Sequence, residues 1–170
     1  PDHDPDRAAL TGLAEVVLTR AAALATERGV QGYVLSLDAP TYQAVMTHAE
    51  SATLREVFYE AWVTRASHRG PHAGRWDNGP LIDEILSLRH EAAQLLGFAS
   101  YAELSLATKM ADSPAQVIEF LRDLARRCKP VAVAELQELT QYAGRRLEAW
   151  DVAFYAEQLG FVVDVDVRPA

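Results

Sequence analysis

Apolar positions along this chain recur mostly at the three-to-four residue spacing of helices. From Arg7 to Arg28 the residues are rich in Ala and Leu, with Leu10, Leu13, Val17 and Leu18 at helical spacing, and Gly29 stands where a helix usually stops. The next stretch, Gln31 to Asp38, has a different period. Tyr33, Leu35 and Leu37 alternate with smaller or polar neighbours, which predicts one short strand or hairpin element closed by Asp38-Ala39-Pro40. Pro40 opens a short helix over Thr41 to Ala49, and Ser51 is a suitable N-cap for Ala52 to Ser67. Leu54, Phe58, Ala61, Trp62 and Ala66 share a face of that second helix. Glycines and prolines between His68 and Pro80 exclude regular structure there. An amphipathic helix follows, with Leu81, Ile82, Ile85, Leu86 and Ala93 expected to face inward and Gly97 to end it. Tyr101 to Met110 reads as helix. Ser113, Pro114 and Gln116 then form a capping signature for a long helix whose apolar stripe is Val117, Phe120, Leu121, Leu124 and Cys128. Pro130 is expected to kink or split it. Helix resumes to Tyr142 and Gly144 and again over Asp151 to Leu159, while the closing residues alternate Val with Asp and read as strand or tail. The pattern is mainly α: a multi-helix array without internal repeats.

Composition narrows the partners. The 170 residues fit one domain, and 49% hydrophobic with 24% charged residues is ordinary for a folded protein. A net charge of −8 disfavours nucleic acid and offers no basic face to an anionic membrane. The one cysteine, Cys128, excludes an internal disulfide and, on an apolar stripe, reads as a buried, inert thiol. The chain does not begin with Met, which raises the expectation that it is a piece of something longer.

Few motifs carry chemistry. His90-Glu91-Ala92-Ala93-Gln94 approaches the His-Glu-x-x-His of zinc peptidases, but Gln94 stands where the second imidazole is required. His90 and Glu91 therefore read as a solvent-facing pair. His68 and His72 are separated by Gly70 and Pro71, so they do not share a helix face, and no spacing selects a third ligand. No catalytic residue and no metal ligand is assigned. In the glycine-rich loop, Trp76 is expected to plug a core and Asp77 or Asn78 to cap the next helix. His72 and Arg75 remain as candidates for substrate contact.

Several long strings, in order, carry a family resemblance. These are Tyr33 to Met46, Tyr59 to Ser67, Gly70 to Asn78, Ile85 to Phe98, Tyr101 to Met110 and Trp150 to Tyr155. Together they resemble the thimet-oligopeptidase family of zinc peptidases, with the bacterial oligopeptidase A branch nearest, over residues 5 to 158. The resemblance implies a helical, two-lobed fold around a deep channel, in which zinc is held by His-Glu-x-x-His and a later Glu and short peptides are cleaved. Those zinc residues fall outside the matching stretch, which implies that residues 1–158 are helical wall and that 159–170 are a divergent tail. The chain is expected to be inactive alone and to hold no zinc, the cofactor of the full-length family. It is also expected to be cytoplasmic. Two other readings stay open: a helical module that binds peptides or a partner, self-associating through exposed apolar surface, and a truncated gene product without function.

Overall fold

A computed structural model describes residues 5–160 of the chain. It is built from helices, and no strand occurs among the described residues. These residues divide into two compact units: 5–65 with 136–160, and 66–135.

The first unit holds α1 (Pro5–Ala9), α2 (Glu15–Glu27), α3 (Ala39–His48), α4 (Ala52–Val63), a 3-10 turn (Ala149–Asp151) and α8 (Val152–Leu159). The stretch expected as one helix from Arg7 to Arg28 is two. Gly12 breaks it with a φ of +92°, and a Cβ there would lie 2.0 Å from the His48 carbonyl oxygen. Only glycine tolerates both the conformation and the approach. Beside it the Glu50 amide donates to the Thr11 carbonyl at 3.0 Å, which ties the α1–α2 joint to the α3–α4 joint.

Residues 31–38 correct the strand expectation. Tyr33, Leu35 and Leu37 do pack on the core, which explains their alternation, but no second strand lies alongside among the described residues. The Val34 amide instead donates to the Ala21 carbonyl at 3.0 Å. Alternating burial therefore arises here from packing against helices rather than from a ladder.

Ser51 caps α4 as expected, and Asp38, expected only to close the preceding segment, caps α3. Asp38 accepts from the Thr41 amide at 2.9 Å, and Ser51 accepts from the Leu54 amide at 3.2 Å. The helix begun by Ser51 ends at Val63, short of Ser67, and Ala66 has a left-handed φ of +52° that no helix continues. The core gathers Leu10, Leu13, Leu18, Val45, Ala49 and Phe58.

The second unit holds the loop after Arg65, α5 (Gly79–Leu95), α6 (Tyr101–Leu106) and most of α7 (Pro114–Ala143). Here the inward-facing expectation fails. Leu81, Ile82, Ile85 and Leu86 are exposed on α5, as are Phe120, Leu121, Leu124 and Cys128 on α7, while Val117 is half-buried. Ala93 is the one buried residue of this unit among those described. The amphipathic faces are present, but the described unit supplies nothing to cover them. Pro130 does not split the long helix. Helix α7 runs through it, and the surrounding residues are exposed, so water can satisfy the carbonyl that loses its amide partner. Helix α6 stops at Leu106 rather than Met110. At the start of α7 the Gln116 amide donates to Ser113 Oγ at 3.2 Å, as the capping signature requires, while Gln116 Oε1 accepts at 2.8 Å from the amide of Asp112, one residue before the cap. The Val-Asp tail after Gly160 lies outside the described residues.

Candidate functional site

The loop singled out by sequence is exposed and well hydrogen-bonded. The Ala73 amide donates to the Gly70 carbonyl, Gly74 to Ser67, Arg75 to His72 and Asn78 to Ala66, at 2.9 to 3.3 Å. Gly70 and Gly74 supply left-handed turns with φ of +81° and +72°. His72 and Arg75 are brought together around Trp76. The Arg75 guanidinium lies 4.3 Å from the indole centroid, and the His72 ring meets the indole edge-on at 5.9 Å. Trp76 is 59% exposed, so it does not plug a core. Asp77 does what the sequence predicts, accepting from the Gly79 amide at 2.9 Å where α5 begins, while the Asn78 side chain makes no cap bond. His68 is placed beside Arg69, whose Nε donates to His68 Nε2 at 3.3 Å.

His90 and Glu91 are exposed on α5. Gln94, in the place of the second zinc imidazole, closes α5 instead. Its side-chain amide donates to the Phe98 and Ala99 carbonyls at 3.2 and 2.9 Å as the helix ends. Among the described residues no group of three or more His, Cys, Asp or Glu is arranged to hold a metal ion. The donor set therefore does not fit zinc.

The strongest electrostatic feature is one that the sequence does not announce. Arg55 of α4 and Asp151, at the end of the 3-10 turn, are both buried and meet at 2.7 Å between Nη2 and Oδ1. The guanidinium also donates to the carbonyls of Ala49 at 2.6 Å, Glu50 at 3.2 Å and Trp150 at 3.2 Å, and lies 4.2 Å from the Phe154 ring centroid. The other Asp151 oxygen receives Arg145 at 2.9 Å and the Glu148 amide at 3.1 Å. Burial pushes the Asp151 carboxyl up, but hydrogen bonds from Arg145 and Arg55 outweigh it and hold the group below the usual carboxylate value. The same contact with Asp151, helped by Tyr155, raises Arg145. A signal does exist. Arg55 stands three residues before Phe58 and seven before Trp62, inside an apolar face where an arginine needs a partner.

The same unit has a groove of about 550 Å³ lined by Tyr42, Met46, Tyr59, Trp62, Val152 and others. Tyr42 stacks on Trp62 with centroids 4.3 Å apart, and the Arg65 guanidinium lies 3.8 Å from the Trp62 ring. Burial, and then the nearby Tyr59, raise the Tyr42 hydroxyl pKa. No described helix is long and apolar enough to cross a membrane.

Comparison with known proteins gives one consistent answer. Residues 45–162 match peptidase family M3. Oligopeptidase A of Salmonella typhimurium is 47% identical over 173 residues, covering 96% of this chain and 25% of that protein. Oligopeptidase A of Escherichia coli shows the same identity and coverage. The probable cytosolic oligopeptidase A of Arabidopsis thaliana is 40% identical over 134 residues, covering 75% of this chain and 18% of that protein. The chain thus spans about a quarter of the length of the bacterial relatives it matches.

Proposed function

Because the chain belongs to peptidase family M3 and its oligopeptidase A branch, we propose that residues 1–158 form a helical wall segment of a two-lobed, zinc-dependent, cytoplasmic enzyme that hydrolyses short peptides, with 159–170 as a divergent tail. In such an enzyme zinc activates the attacking water, and its ligands are contributed from outside this segment. The observation that carries this reading is the donor set. Gln94 stands in the near-match to the zinc motif and is committed to the end of α5, so His90 and Glu91 lack the second imidazole a peptidase zinc needs. The segment's own contribution is architectural: the buried Arg55–Asp151 pair, joined by the exposed Arg145, fixes α4 against the start of α8, and His72 and Arg75 lie on a loop open to substrate.

The chain alone is inactive on this reading. Incubation of the purified 170-residue protein with zinc and a quenched fluorescent peptide should give no cleavage above a metal blank. Stoichiometric zinc retained after dialysis, together with zinc-dependent cleavage, would overturn it. The exposed apolar faces of α5 and α7 favour a second reading, a helical module that associates with a partner or with itself. Sedimentation of the pure chain separates the two. A monomer that binds no hydrophobic dye removes the second reading.

A further inference from the structure

We propose that the loop from Ser67 to Asp77 is a binding site for peptides bearing a carboxylate, with Arg69 and Arg75 as the anion-recognising groups and Trp76 as the apolar platform. This inference rests on the peptidase-segment reading for its ligand class. Three observations support it.

The first is charge segregation. The chain carries a net charge of −8, yet positions 61–76 contain three arginines, two histidines and no acidic residue. The acid that ends this run, Asp77, is half-buried and already accepts from the Gly79 amide.

The second is that neither loop arginine meets a carboxylate, although Arg69 Nε donates to His68 Nε2 and Arg75 stacks on Trp76. Arg20, Arg55, Arg126, Arg127 and Arg145 each meet an aspartate. Arg69 and Arg75 are both exposed and, like Arg28, Arg65, Arg89, Arg122 and Arg146, pair with no carboxylate among the described residues; what sets these two apart is that they share one loop with an exposed indole. A guanidinium presents a planar fork of donors that matches a carboxylate in two parallel hydrogen bonds, so two such forks on one loop are suited to that anion.

The third is preorganisation around an exposed indole. Trp76 is 59% exposed, with Arg75 over its face at 4.3 Å and His72 at its edge at 5.9 Å. The loop backbone is closed by its own hydrogen bonds from Ala73, Gly74, Arg75 and Asn78. Little loop ordering is then required on binding, and Trp and Arg are the side chains that most often dominate binding energy. The acidic remainder of the chain repels polyanions, which favours a single carboxylate on a short peptide over nucleic acid.

The test uses the whole chain and four probes: acetyl-Phe-Ala-Glu-Ala-amide, its Gln counterpart, that Gln peptide with a free C-terminal carboxylate, and inorganic phosphate. Binding is followed by the Trp76 indole NMR signal, assigned with Trp76→Phe. The Glu peptide and the free-carboxylate peptide report side-chain and terminal carboxylates separately. At least one should bind about tenfold more tightly than the neutral peptide, and Arg69→Gln or Arg75→Gln should remove about tenfold of that preference. Arg122→Gln, on α7, should leave it unchanged, and circular dichroism checks that each variant folds. Equal binding of charged and neutral peptides, no binding of any peptide, equal affinity for phosphate, or an equal loss in Arg122→Gln would each refute the site. Cleavage of the bound peptide by the isolated chain would instead refute the inactive-segment reading, and the affinity differences would still decide the loop.

Discussion

The two units use amphipathic helices to different ends. In the first, α2, α3 and α4 close their apolar faces on Leu10, Leu13, Leu18, Val45 and Phe58, and a buried ion cluster joins α4 to the start of α8. In the second, α5 and α7 carry equally regular apolar stripes that remain in solvent, with Ala93 as the sole buried position among those described. Periodicity therefore identifies a face that must be covered, while only the tertiary structure shows whether this segment covers it. The difference also separates the kinds of sensitivity each unit should show. Truncation of a buried side chain should cost stability in the first, whereas in the second it should mainly change the exposed apolar surface.

The largest expected effect tests the ion cluster. Asp151→Ala leaves Arg55 buried without its carboxylate, and loss of one partner of a buried pair costs about 3–5 kcal/mol. Urea unfolding read by near-ultraviolet circular dichroism should show it, and a change below about 1 kcal/mol would mean the pair is not buried in solution. Gly12→Ala should come next. The positive φ alone costs about 1–3 kcal/mol, and the clash with the His48 carbonyl adds to it.

The pH dependence follows from the same unit. Asp151 lies below its ordinary value, where hydrogen bonds from Arg145 and Arg55 outweigh the opposing effect of burial. Asp38 is lowered to about 2 by the Ser36 hydroxyl and then the Thr41 amide. For a carboxylate depressed in the folded state, the stabilisation is complete above the unfolded value of 3.8 and is lost as pH falls through the folded value. Stability should thus hold above about pH 4 and decline towards about pH 2. In Asp151→Ala the decline should be shallower. An unaltered acid limb in that variant would show that Asp151 contributes none of it.

The smallest effect gives the sharpest comparison. Phe58→Ala in the core should cost about 3 kcal/mol, whereas Leu86→Ala on the exposed face of α5 should cost less than about 1 kcal/mol. The Leu86 variant should reduce hydrophobic-dye binding more than it reduces stability. Equal losses at the two positions would mean that the α5 face is covered in solution.

Much of the fold is legible in the sequence because its signals are local. Caps at Ser51 and Ser113, the stops at Gly97 and Gly144, and the irregular loop before Pro80 depend on a few adjacent residues. The irregular loop that carries His72 and Arg75 is legible for the same reason, although Trp76 lies in solvent rather than in the core its size suggests. The Arg55–Asp151 pair is not legible, since 96 residues separate its members. The apparent strand at Tyr33–Leu37 misleads because period-two burial also results when an extended segment crosses a helical surface.

From the sequence alone come the helical class, several helix starts and stops, the family, and the mismatch of Gln94 with a zinc site, since each depends on residue identity and short spacing. The tertiary structure alone decided which apolar faces are covered, why Gly12 must be glycine, and where the buried charges find partners. Those outcomes depend on which distant segments come into contact, because burial and electrostatic pairing are properties of an environment that no single stretch of chain contains.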